Sequence, residues 1–213
     1  MYISPTANIP MRLFLTGPSG CGKSTLLRHT LQDRLSAAGG FVTNRQTDEA
    51  GRPLYFYLQR ANGIGNPEIF LDLRSAPPRK NSQPFTETAV RLLREPAPFY
   101  LLDEIGGMEL LLPEFQAALD AFLTSDVPCI GVLKGLPNSR TLQSTANLPE
   151  AYLQAAAQLH LKLESMPHTA IVEYSDPAAI AAVTQWVQTC VPSRIVGSAK
   201  APLGDQGELS GKA

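Results

Sequence analysis

A short apolar run that breaks into glycines and then a lysine constrains this chain more than any other feature. Residues 11–27 read MRLFLTGPSGCGKSTLL. Leu13, Phe14 and Leu15 suit a buried strand. Gly17, Gly22, Lys23 and Ser24 satisfy the pattern G-x-x-x-x-G-K-[ST], and a helical pattern begins at once. Gly17, Gly20 and Gly22 accept positive φ, which lets the main chain wrap closely round a phosphate. The N–H groups from Gly20 to Ser24 then point inward at the positive end of the following helix. Gly17, Pro18, Ser19, Gly20, Cys21, Gly22, Lys23, Ser24 and Thr25 are therefore the expected phosphate-binding stretch. Lys23 is placed to reach β- and γ-phosphates, and the Ser24 hydroxyl to ligate Mg²⁺.

A second landmark lies at residues 99–104, FYLLDE. Four apolar residues in succession suit a strand buried on both faces of a sheet. Two carboxylates close it, at the edge where ligands bind in open α/β sheets. Asp103 is placed as the Walker B aspartate, holding Mg²⁺ directly or through its water. Glu104 is placed to orient or deprotonate the water that attacks a γ-phosphate. Lys23, Asp103 and Glu104 are thus the expected catalytic group, with Ser24 and Asp103 on the metal. An acid directly after the Walker B aspartate also suggests the subclass with an inserted strand, although the sequence leaves the strand order open.

At 213 residues, 44% hydrophobic and 17% charged, the chain has the length and balance of one soluble domain. Its net charge of −1 offers no electrostatic footprint for nucleic acid or an acidic membrane. No apolar run reaches transmembrane length, and residues 1–10 lack the pattern of a signal peptide, so a cytoplasmic monomer is expected. Cys21, Cys129 and Cys190 fit neither a disulfide framework nor a zinc site and read as reduced thiols. His29, His160 and His168 have no metal-ligand partner at useful spacing. Cys21 sits inside the phosphate loop and reads first as a tolerated variable position of the pattern, the alternative being a thiol whose oxidation or alkylation blocks nucleotide binding.

The organisation expected is an arm over residues 1–10, a domain over 11–190 and a disordered Gly/Ser/Pro/Ala-rich tail over 191–213. The first helix is expected to run to about Ala38, with Leu27, Leu31 and Leu35 inward and Gly39 ending it. Residues 40–47 and 54–60 read as strands around the turn 48–53, so a hairpin is expected and the sheet is mixed. Ile69–Leu73 reads as a short strand, 76–84 as a loop able to cover a nucleotide, and Thr86–Arg94 as a helix with Val90 and Leu93 inward. Pro113–Leu123 is an amphipathic helix and Pro128–Leu133 a buried strand. Lys134 and Arg140 are expected on a loop after it, at the carboxyl edge. A helix over 149–163 and a strand over Thr169–Glu173 follow. The last helix is capped by Asp176 and Pro177, with Ile180, Val183, Val187 and Cys190 inward. Together these elements predict a P-loop three-layer α/β sandwich, its sheet largely parallel with helices on both faces.

Two further strings stand out: Leu102–Leu110, LDEIGGMEL, continuing to Phe115, and GGFVT at 39–43 followed by Gly51, Arg52 and Phe56. The first is similar to the DEIG-x-MEL segment and following phenylalanine, and the second resembles the second and third strands, of one family: the nucleoside triphosphatases first described from thermophiles, known in mammals as the cancer-related nucleoside triphosphatase. The resemblance covers roughly residues 11–135 and implies slow Mg²⁺-dependent hydrolysis of several nucleoside triphosphates, ATP among them, to diphosphate and phosphate.

Three other functions share the motif. A small-molecule kinase would need a lid, for which Arg74 and Arg79 are candidates. A GTP switch would use Asp103-Glu104-Ile105-Gly106 as its D-x-x-G, but the chain has no [NT]-K-x-D to read guanine. A non-hydrolysing nucleotide-binding adaptor is the third. As phosphate-stabilising cations, in the manner of an arginine finger supplied in cis, Lys134 and Arg140 are candidates.

Overall fold

The computed structural model describes residues 9–175 and 177–192. Most of the expected arm, the Asp176 cap and the tail from residue 193 lie outside the described residues.

Eight strands form one sheet: β1 (Arg12–Thr16), β2 (Gly39–Thr47), β3 (Pro53–Arg60), β4 (Glu68–Asp72), β5 (Arg79–Lys80), β6 (Tyr100–Ile105), β7 (Cys129–Leu133) and β8 (Thr169–Glu173). Their order is β5-β4-β3-β2-β6-β7-β1-β8. From β2 to β8 all neighbours are parallel, and β3, β4 and β5 extend the sheet antiparallel beyond β2. β7 lies between β1 and β6, so the two landmark strands are one strand apart, as the paired acids suggest.

The helices are α1 (Lys23–Leu31), α2 (Val90–Leu92), α3 (Pro113–Leu123), α4 (Leu136–Ala146), α5 (Ala151–Ser165) and α6 (Ala178–Cys190). Alternation along the buried strands feeds two separate cores. Phe14, Phe41, Leu102 and Leu133 join the layer under α2, α3 and α5. Leu13, Leu15, Leu101 and Val132 join the layer under α1 and α6. Phe41, Phe85 and Phe115 meet edge to face in the first layer, an arrangement aromatic quadrupoles favour.

Several local expectations are corrected. α1 stops at Leu31, because Gln32 takes φ of 46°, and a 3₁₀ stretch Gln32–Ala37 continues the chain. Gly39 consequently opens β2 instead of ending a helix. The loop expected at 76–84 contains β5, and the next helix opens in a π-helical turn, Pro84–Ala89, before α2. The loop assigned to Arg140 is the helix α4, with a proline in its first turn, where the missing N–H costs nothing. On α6 Ile180 faces out at 59% exposure, whereas Ala179, Val183, Trp186 and Val187 are buried. Val183 and Val187 are inward as expected and Cys190 packs against the same core, so Ile180 alone departs, with Ala179 and Trp186 buried beside them. Val191 still packs in the second core, so order outlasts the boundary drawn at 190.

Candidate active site

The parallel order brings the carboxyl ends of β1, β7, β6 and β2 to one edge, and a cavity of about 470 Å³ runs along it. One end is the phosphate loop between β1 and α1. Gly20 has φ of 78° and Gly22 of 109°, values a residue with a Cβ adopts at a cost. The Tyr174 hydroxyl, from the residue just after β8, stands 2.8 Å from where a Cβ on Gly22 would sit, so a side chain there would collide with it.

Lys23 is buried, and its ammonium donates to the carbonyls of Gly17 at 3.0 Å and Pro18 at 2.7 Å, with the Cys21 sulfur 3.7 Å away. Asn138 on α4 donates to the same Gly17 carbonyl at 3.0 Å. The loop is therefore tied to α4, a link no local pattern signals.

Across the cleft, the Ser24 hydroxyl donates to Asp103 Oδ1 at 2.8 Å. Residues 79 positions apart thus share a hydrogen bond. Asp103 is 1% exposed, and its Oδ2 has no hydrogen-bond partner among the described residues, only the Arg28 guanidinium 3.8 Å away. Burial pushes its carboxyl up to about 6, against the opposing pull of the Ser24 bond and the Arg28 and Lys23 charges. A buried carboxylate oxygen left without a partner beside a hydroxyl oxygen is a donor set that suits a hard cation such as Mg²⁺.

Glu104 lines the cavity, and its Oε2 accepts from the Lys134 ammonium at 3.0 Å. Lys134 follows β7 directly and is held through its main chain. Its N–H donates to Ile105, and His160 Nε2 donates to its carbonyl at 2.9 Å. Glu109 explains the rest of the MEL string. Its buried carboxylate accepts from the N–H groups of Gly106 at 2.8 Å and Gly107 at 2.7 Å, fixing the turn behind the two acids. Burial raises its pKa, although those backbone donors pull it down. Tyr152 adds a bond from α5 to the Gly106 carbonyl at 2.9 Å.

Other expected cations lie elsewhere. Arg74 pairs with Asp72 at 2.6 Å and stacks over Tyr55, Arg79 lies on the outermost strand, and Arg140 is exposed outside the cavity lining. Far from the loop the cavity turns apolar, where Phe56, Phe70, Leu73 and Leu142 line it. Among the described residues no cluster of His, Cys, Asp or Glu forms a multi-carboxylate or zinc-type site, and no helix is long and apolar enough to cross a membrane. The three cysteines are free thiols.

Phosphate loop, strand order and facing acids define a P-loop nucleotide-binding α/β protein. Comparison with known proteins carries this further. A family model described as NTPase matches residues 12–153, more than half of the chain. Proteins named nucleoside-triphosphatase THEP1 are similar. That of Ignicoccus hospitalis is 32% identical over 127 residues, covering 56% of this chain and 73% of the relative. That of Methanothermobacter thermautotrophicus is 30% identical over 145 residues, 63% and 80% of the two chains. The crystal structure of THEP1 from Aquifex aeolicus superposes with a TM-score of 0.55 at 18% identity, covering 84% of this chain and 98% of that one, a likeness of fold. The chain belongs to the NTPase family.

Proposed function

We propose that this chain is a cytoplasmic nucleoside-triphosphatase that hydrolyses nucleoside triphosphates to diphosphate and phosphate with Mg²⁺, slowly and with little regard for the base. The observation that carries the reading is the Ser24–Asp103 hydrogen bond, which closes the loop onto the strand bearing Glu104. Similarity to the THEP1 nucleoside-triphosphatases supports it. The chain has no [NT]-K-x-D string with which a GTP switch reads guanine.

The phosphate chain lies in the loop, its β-phosphate on the N–H groups that open α1. The Lys23 ammonium leaves the Gly17 and Pro18 carbonyls for the β- and γ-phosphates and holds the charge that develops between them. Ser24 and Asp103 would hold Mg²⁺, which would supply positive charge to offset that of the phosphates. Glu104 orients a water and takes its proton. The water oxygen bonds to the γ-phosphorus as the bond to the β,γ-bridging oxygen breaks. Lys134 steadies the Glu104 carboxylate from the next strand.

Phosphate release from ATP, GTP, CTP and UTP, with Mg²⁺ and with EDTA, tests this. Turnover of all four that needs the metal, and disappears in Glu104→Gln while nucleotide still binds, is the expected result. Binding without phosphate release by the wild type would refute it.

A further inference from the structure

We propose that Arg45 is a catalytic residue, an arginine finger supplied in cis that contacts the γ-phosphoryl group in the transition state. The inference rests on the hydrolase reading above and starts from the shape of β2. That strand pairs with β6 only from Gly39 to Val42, yet it runs on to Thr47 paired with β3 alone. The second half of the β2–β3 hairpin therefore overhangs the carboxyl edge, on the Glu104 side of the phosphate loop. Asn44 on this overhang accepts a hydrogen bond from Arg28 of α1 at 2.7 Å, which moors the strand beside the loop.

The next residue reaches the loop itself. Arg45 Nη2 lies 3.9 Å from the position a Cβ would occupy on Gly20, in the middle of the loop. Among the described residues, Arg45 is the single arginine lining the cavity that holds Lys23, Ser24 and Glu104. The other cations at the site are committed: Lys134 to Glu104, Arg28 to Asn44 and Asp103, and Lys23 to loop carbonyls. The Arg45 guanidinium has no hydrogen-bond or ion-pair partner among the described residues, whereas those of Arg52 and Arg74 are each paired with an aspartate.

Such a charge stands where an anion of several charges binds, and its planar fork of donors matches phosphoryl oxygens. Arg45 is exposed to solvent, so its contribution grows as the bound nucleotide displaces water from the cleft. With nucleotide bound, Arg45 contacts the γ-phosphate as negative charge builds there, stabilising the transition state more than the bound substrate.

The test compares wild type, Arg45→Ala and Arg45→Lys in two measurements. In steady-state phosphate release, Arg45→Ala should lower kcat by about 10²-fold or more with KM within about threefold, and Arg45→Lys should recover part of the loss. In the second, wild type should trap ADP with aluminium fluoride and Mg²⁺, and Arg45→Ala should fail to, while binding ADP alone with unchanged affinity. A kcat within about threefold of wild type, or a loss confined to KM and ADP affinity, overturns the proposal. The trap needs no turnover, so it decides on Arg45 even if the wild type releases no phosphate, a result that would refute the hydrolase reading alone.

Discussion

Asp103→Asn should separate the requirement for a buried acid from its cost to the fold. An aspartate whose carboxyl is held near its ordinary 3.8 when unfolded and pushed up to about 6 when folded binds its proton more tightly in the native state. Between those values the folded chain carries more protons than the unfolded one, so stability falls as pH rises through the window and then levels off. Two pH units correspond to about 3 kcal/mol, of which about 2 kcal/mol falls between about pH 4.5 and 7.5. The asparagine does not titrate. Its stability relative to wild type should therefore rise by about 2 kcal/mol over that interval, whatever constant offset its amide leaves in the pocket. Urea denaturation followed by the fluorescence of the buried Trp186, in EDTA across that pH range, measures the difference directly. Mg²⁺ should then stabilise the wild type and leave the variant unchanged. A stability difference that stays flat with pH would refute the claim that burial governs this carboxylate.

Three further outcomes follow from the same geometry. Lys23→Ala should lower kcat by about 10²–10³-fold, because it removes a preorganised ammonium that compensates the charge developing on the phosphates; phosphate release measures it. Glu109→Ala should leave the Gly106 and Gly107 N–H groups without their acceptor, costing about 1–3 kcal/mol for each that stays dry, visible as a lower urea midpoint. Alkylation of Cys21, whose sulfur lies 3.7 Å from Lys23 Nζ, should block nucleotide binding, with bound nucleotide protecting the thiol and Cys21→Ala immune. Inactivation of Cys21→Ala at the wild-type rate would transfer the effect to another thiol.

The sequence by itself determined whatever depends on neighbours along the chain. Glycines at 17, 20 and 22 followed by Lys23 and Ser24 dictate a loop by their own torsions, and the buried runs at 13–15, 99–102 and 129–133 dictate strands covered on both faces. The hairpin of β2 and β3 and the amphipathic α3 were legible for the same local reason. Positions that depend on partners far along the chain were not legible. Glu109 read as part of a resembling string, and only the structure shows its carboxylate bonded to two backbone N–H groups. Lys134 was one loop cation among several until β7 settled beside β6 and set it against Glu104. Arg45 carried no signal at all, because its place over Gly20 follows from where the pairing of β2 with β6 stops. A loop's torsions are local, but the facing of one charge to another is fixed by strand order, which tertiary packing alone decides.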